Sequence, residues 1–135
     1  MSFLRLKYLS FFFLIISFFS FINILYSYYF NLYSNLSTYS FILIFSILIS
    51  FIFYKLKSSD QKPSIFEKLI TVFLGYILMP LILSLPFYFS IYNFTYLNAI
   101  FEAVSGFTST GFTVFENIEY IDEDLILWRS SIQWI

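Results

Sequence analysis

Residues 97–113 read LNAIFEAVSGFTSTGFT, and the fold turns on how this stretch can sit in a bilayer. Apolar residues fall at Leu97, Ile100, Phe101 and Val104, which is helical spacing, and Thr95 stands where an N-cap belongs. A helix from Leu97 to Phe107 spans about 16 Å, half the hydrocarbon thickness of a membrane. It cannot cross. Thr108-Ser109-Thr110-Gly111-Phe112-Thr113 follows at once, a hydroxyl-rich run around one glycine that makes poor helix. A half-helix followed by irregular backbone is tolerated at membrane depth only where protein or a water-filled cavity surrounds it. The segment therefore has the build of a re-entrant pore loop. On pattern alone, an ordinary loop between helices has the same composition, and that alternative stays open.

The case for a cation path is physical. A helix entering from outside points its negative, C-terminal dipole end toward the membrane centre. The returning stretch can then align backbone carbonyls in place of an ion's hydration shell. Gly111 is free to take a positive φ and turn its carbonyl inward, and the hydroxyls of Thr108, Ser109, Thr110 and Thr113 can bond backbone or solvent without blocking the path.

The remainder of the chain makes the bilayer its solvent. Of 135 residues, 60% are hydrophobic and 11% charged, with a mean hydropathy of +0.84. Soluble domains carry about a quarter charged residues. The chain has no His and no Cys, which removes Ser-His-Asp and Cys-His catalysis, Cys/His zinc sites and disulfides. A net charge of -1 leaves no footprint for nucleic acid, and three scattered glycines make no nucleotide-binding fingerprint. No cofactor is expected.

Between Lys7 and Lys55 there are 47 residues without a charge, about twice one membrane crossing. Two helices are expected, Tyr8 to Tyr29 and Tyr39 to Tyr54, with a turn at Asn31, Ser34, Asn35, Ser37 and Thr38, whose side chains favour loops. A secretory signal is the alternative for the first stretch. The apolar run is too long for one, and no small-residue cleavage site follows it. Residues 57–67 read as a solvated cytoplasmic loop. From Leu69 to Tyr92 another uncharged run of 24 residues makes a third crossing, with Pro80 and Pro86 expected to kink or unwind it. Such breaks fit a helix packed inside an assembly, or a tolerated kink without a role.

Basic residues number two before the first span, none between the first and second, four between the second and third, and none from Leu69 to Leu127. The positive-inside rule places the N-terminus in the cytoplasm. The region after the third span then begins outside, and its six acids, Glu102, Glu116, Glu119, Asp122, Glu123 and Asp124, suggest either a vestibule that concentrates cations or, for any one of them, an ordinary solvated acidic loop. The separate expectation for Glu102 is capping or hydrogen bonding within the short helix, and for Arg129 a salt bridge or interfacial anchor.

Residues Phe101 to Thr113 (FEAVSGFTSTGFT) resemble the first pore loop of the Trk/Ktr/HKT potassium transporters, especially the TrkH-type membrane subunit, and Leu127 to Ile135 (LWRSSIQWI) resemble the helix after it. The resemblance implies an all-α membrane protein. Residues 1–56 would be two N-terminal transmembrane helices, 57–67 a cytoplasmic loop, and 68–135 the first helix, re-entrant pore loop and helix repeat, incomplete at its C-terminal end. It further implies filter carbonyls from Ser109, Thr110, Gly111 and Phe112, supported by Thr108, Thr113 and Glu102, with potassium as substrate. The implied partners are membrane lipid, the remaining repeats and, in a homodimer, a cytoplasmic nucleotide-binding regulatory subunit. The implied location is the cytoplasmic (inner) membrane.

In that family the fourth span continues into a paired glycine and three further repeats, so the sequence is expected to be an N-terminal portion, inactive alone. The competing reading is a small membrane interaction protein without transport. An enzyme is disfavoured: Glu102 and Asp122 to Asp124 could serve as acids or bases, but no nucleophile or metal-ligand set accompanies them.

The orientation is testable in this cysteine-free chain. The single variants Ser34→Cys, Ser59→Cys and Asn117→Cys are expected to react with an impermeant thiol reagent from outside, inside and outside. Outside labelling of the Ser59→Cys variant would reverse the topology.

Overall fold

The computed structural model describes residues 7–55, 64–115 and 117–135. Within them the chain is helical: α1 (Lys7–Tyr29), α2 (Leu36–Lys55), α3 (Ile65–Leu83), α4 (Leu85–Tyr88), α5 (Tyr96–Phe107) and α6 (Glu123–Ile132), with a 3-10 turn at Ile118–Tyr120 before α6. Among the described residues there is no strand. Three segments are long and apolar enough to cross a membrane, namely Leu9–Tyr29, Leu36–Lys55 and Ile65–Tyr88.

α1 and α2 form an antiparallel hairpin. α1 ends because Asn31 adopts φ 59°, the left-handed region that Asn tolerates, while Leu32 N–H bonds the Ser27 carbonyl at 2.8 Å and Asn31 N–H that of Tyr28 at 3.4 Å. The turn is shorter than the polar cluster suggests: Ser37 and Thr38 lie inside α2. The two helices meet along faces that mix large apolar side chains with buried serines and Asn23. Leu9, Phe13, Ile16, Ser20, Asn23 and Ser27 are buried at alternating four- and three-residue steps on α1, and Tyr39, Ile42, Ser46 and Ser50 on α2. Ser50 Oγ reaches across to the Ser10 carbonyl at 2.9 Å. The large apolar residues Phe11, Phe18, Phe21, Phe41, Ile44 and Phe51 face outward. That inversion suits lipid, where bringing helices together needs close approach and hydrogen bonds rather than removal of apolar surface from water.

α3 begins at Ile65, earlier than the charged residues suggest, because Ser64 and Glu67 form a capping box: Glu67 N–H bonds Ser64 Oγ at 3.2 Å and Ser64 N–H bonds Glu67 Oε2 at 3.1 Å. Of the loop expected over 57–67, residues 57–63 lie outside the described residues. The two prolines act differently. Pro80 sits within α3 without ending it, whereas the helix breaks at Ser84 and Pro86 falls in the first turn of α4, where its missing N–H costs nothing. The crossing therefore ends at Tyr88, not Tyr92. The Leu83 carbonyl, at the break, accepts the indole N–H of Trp128 at 3.0 Å. Trp128 is fully buried, with its ring 5.5 Å from that of Tyr39. One core thus joins Met79, Leu83 and Phe87 of α3 and α4 to Ala99 and Ala103 of α5, Leu125, Trp128 and Ile132 of α6, and the hairpin.

The apolar stripe of α5 does not make this core. Leu97, Phe101 and Val104 are exposed, and the small face Ala99, Ala103 and Gly106 is buried together with Glu102. A Cβ on Gly106 would lie 3.1 Å from Ile132 Cγ2, so α5 and α6 approach as closely as they do because this residue lacks one.

Two glycines make a matched test. Gly106→Val is expected to lower the chain's unfolding free energy in detergent micelles by about 1–3 kcal/mol through overpacking. Gly75→Ala has open space around the new Cβ and is expected to leave it unchanged or raise it by up to about 1 kcal/mol through helix propensity.

Candidate functional site

α5 starts at Thr95, whose hydroxyl accepts the Asn98 N–H at 3.3 Å, and ends in a two-bond turn. Ser109 N–H bonds the Gly106 carbonyl at 2.9 Å, and Thr110 N–H bonds that of Ser105 at 3.0 Å. This closure usually places glycine in the left-handed position. Here Ser109 occupies it at φ 54°. Gly111 follows two residues later at φ 84°, a second left-handed step that reverses the chain.

After Gly111 the backbone doubles back along α5. Ser105 Oγ donates to the Phe112 carbonyl at 2.6 Å, and one turn earlier Glu102 Oε1 accepts both Thr113 Oγ1 and Val114 N–H at 2.6 Å. Farther along, the Phe115 ring packs edge-on against Phe94 at 4.8 Å. Thr108 Oγ1 bonds the Val104 carbonyl at 2.8 Å and lies 2.6 Å from Thr110 Oγ1. Ser109, Thr110, Gly111 and Phe112 are all exposed.

The reversal is fixed by a buried ion pair. Glu102 is fully buried, and its Oε2 lies 3.0 Å from Nε of Arg129, whose side chain is 17% exposed. The N–H direction falls outside hydrogen-bond geometry, so this contact is coulombic. Arg129 spends its directional bonds elsewhere: one terminal nitrogen donates to the Gly111 carbonyl at 3.2 Å and the Phe112 carbonyl at 3.0 Å. No hydrogen bond within the described residues reaches the carbonyls of Ser109 and Thr110.

The structure thus brings Glu102, Thr113, Gly111 and Phe112 together around Arg129, joins Thr108 to Thr110, and leaves Ser109 at the apex. The sequence reading treated Glu102 and Arg129 separately and missed that each is the other's partner. Their isolation was the signal, since Glu102 is the acid of α5 and Arg129 the first base after Lys68.

The six-acid vestibule needs correcting. Glu102 and Asp124 are fully buried, Asp122 accepts Ser34 Oγ at 2.9 Å, and Glu123 accepts Tyr26 OH at 3.0 Å. Glu119 is exposed, and Glu116 lies outside the described residues. Tyr92 ties the segment before α5 to the start of α6, its OH accepting Asp122 N–H at 2.7 Å and donating to the Tyr120 carbonyl at 3.1 Å. Burial is the main cause that pushes the Tyr92 phenol above its ordinary range, so it serves as a neutral donor and acceptor. Among the described residues no group of three or more His, Cys, Asp and Glu side chains could hold a metal ion.

The chain is 29% identical over 107 residues to the uncharacterized cation transporter MJ1485 of Methanocaldococcus jannaschii, covering 78% of this chain and 23% of that one. It is 39% identical over 57 residues to the Trk system potassium uptake protein TrkI of Halomonas elongata, covering 42% and 10%. With the Trk system potassium uptake protein TrkG of Escherichia coli it shares 30% over 83 residues, covering 61% and 17%. The chain therefore spans less than a quarter of the length of these relatives. No protein-family model matches it, and no solved structure does. All three relatives are named as transporters and none as an enzyme, in agreement with the reading of the composition. Together with the three membrane-length helices, the similarity makes this a multi-pass membrane protein.

Glu102→Gln and Arg129→Gln are each expected to cost about 3 kcal/mol of unfolding free energy in micelles, because each leaves the other charge buried without its partner. The double variant is expected to cost less than the sum, with a coupling of about 1–3 kcal/mol. Additive losses in that cycle would show the two side chains to be energetically independent.

Proposed function

We propose that the chain is part of a transporter of the Trk/TrkH type, like two of the relatives it is similar to, and that it contributes one quarter of a potassium-selective filter in the cytoplasmic (inner) membrane, with its N-terminus in the cytoplasm. In this reading α1 and α2 are accessory spans. α3 with α4, α5 and its reversal, and α6 make a first repeat whose pore loop dips in from the outer face. The carbonyls of Ser109, Thr110, Gly111 and Phe112 line the ion path, and Thr108, Thr113 and Glu102 hold them. Three further repeats complete the ring. A second copy and a cytoplasmic nucleotide-binding regulatory subunit are the proposed partners, and potassium is substrate rather than cofactor.

The observation supporting this reading is the half-length helix α5 running into an exposed backbone reversal that Arg129 and Glu102 clamp from one side. Such a clamp keeps carbonyl dipoles in place at no reorganisation cost when an ion arrives. It also grades them. The Gly111 and Phe112 carbonyls already accept from a guanidinium, whose charge opposes a second cation on the same oxygens. Ser109 and Thr110 carry no such contact and are the stronger ligands. The negative dipole end of α5 adds to the attraction at this point.

Two experiments test the reading. In a full-length transporter bearing this segment, Gly111→Ser is expected to weaken potassium over sodium selectivity without loss of membrane insertion. The added Cβ meets no neighbour, so the effect comes from opposing the φ of 84°. Unchanged selectivity would make the segment an ordinary loop. The 135-residue chain expressed alone is expected not to restore growth of a potassium-uptake-deficient bacterium at low potassium, because one filter segment cannot replace an ion's hydration shell. Rescue that Gly111→Ser abolishes would overturn the one-quarter assignment in favour of a homo-oligomeric channel.

A further inference from the structure

A second polar cluster lies apart from the filter segment, where α6 meets the α1–α2 hairpin. On α1, Ser20, Asn23 and Ser27 lie at helical steps of three and four. On α6, Asp124, Trp128 and Ser131 do the same, and Asn35 and Tyr39 close the cluster from the turn and α2. All of these are buried, and Asp124, Asn23, Asn35 and Tyr39 are fully so. Asn23 Nδ2 donates to Ser131 Oγ at 3.1 Å. Asp124 Oδ2 receives two long contacts, from Ser27 Oγ at 3.4 Å and Asn35 Nδ2 at 3.5 Å. The other oxygens of that pair, Asp124 Oδ1 and Asn35 Oδ1, are buried with no hydrogen-bond partner, as is the Tyr39 hydroxyl, which faces Asp124 from α2.

Two buried acceptors on contacting side chains, neither in hydrogen-bond geometry with a donor, are costly, and the Tyr39 hydroxyl can serve at most one of them. A proton on Asp124 resolves both at once. The carboxylic acid then donates its O–H to the Asn35 amide carbonyl while the amide N–H donates to the acid's other oxygen. We propose that Asp124 is a proton-binding site, held as a neutral carboxylic acid at neutral pH and paired through two hydrogen bonds with Asn35, and that this pair docks the N-terminal hairpin onto the first repeat.

The surroundings favour the neutral form. The titratable groups facing Asp124 are acids and phenols: Tyr26 from α1, Tyr39 from α2, Tyr92 from the segment before α5, and Asp122 and Glu123 from the start of α6. α4 brings Tyr88, whose ring packs on Tyr96, and α5 brings Glu102, which takes up Arg129. Among the described residues no basic side chain pairs with Asp124. The N-terminus of α6 does favour an anion, but Asp122 and Glu123 share that field, and it is weaker than the cost of burying an unpaired charge. A carboxyl whose folded-state pKa is raised gives stability that is complete below its unfolded value and is lost as pH rises through the folded value. The docking is therefore firm in acid and neutral solution and weakens in alkali.

Infrared spectroscopy of the purified 135-residue chain in detergent micelles reads this directly. At pH 7 a neutral-carboxyl stretch is expected that shifts on isotopic labelling of aspartate, persists in Asp122→Asn and is lost in Asp124→Asn. Thermal unfolding of the parent chain is expected to lose stability from neutral to alkaline pH. Asp124→Asn, whose amide stays neutral and can still donate to Asn35, is expected to remove the part of that dependence that falls below the tyrosine range of about pH 10. If Asp124→Asn does not fold, the labelled band in the parent chain and its persistence in Asp122→Asn decide the question. Absence of a neutral-carboxyl band at pH 7 would overturn the proposal, as would an alkaline loss equal in parent and Asp124→Asn. So would a band that disappears on adding sodium or potassium at constant pH, which would make the ligand a metal cation.

Discussion

The contact between Glu102 and Arg129 governs the half of the molecule that follows the third crossing. A charge buried without a partner costs several kcal/mol, so neither residue can stay inside unless the other reaches it. Meeting that condition fixes the distance and rotation of α5 against α6. The approach is possible because Gly106 leaves room for Ile132. Once the pair is set, its remaining bonding capacity falls on the backbone of 111–114, and the chain beyond Gly111 has to turn back along α5.

Around this pair the packing follows the chemistry of a lipid solvent. Phe and Ile are abundant on every face of the long helices, so apolar character does not distinguish inside from outside. Small and polar side chains do. Ser20, Asn23 and Ser27 of α1, Ser46 and Ser50 of α2, and Ala99, Ala103 and Gly106 of α5 mark the contact faces. Trp128 then fills the space between α2, α3 and α6, with its indole N–H spent on a carbonyl at the helix break.

The two polar centres divide the work. One, at Glu102 and Arg129, is a compensated charge pair that shapes an exposed stretch of backbone. The other, at Asp124 and Asn35, has no countercharge and joins the N-terminal hairpin to the helix that carries Arg129. Because α6 belongs to both, the N-terminal hairpin is mechanically continuous with the clamp on the loop.

The sequence alone determined the number and approximate place of the membrane-length helices, though not their ends, together with the turn near Asn31, the N-cap at Thr95, the extent of α5 and the break in helix at Thr108. All of these follow from local charge, length and backbone preference. It also singled out Gly111 as the residue suited to a positive φ. What it could not decide is which side chains meet. With both faces of a helix apolar, periodicity does not reveal the buried face, and α5 buried the one opposite its apolar stripe. Nor does spacing along the chain show that a glutamate finds an arginine 27 positions later, or that two of six acids leave the surface. Those outcomes were decided by tertiary structure, because the free energy of a buried charge depends on the partners that distant segments bring to it.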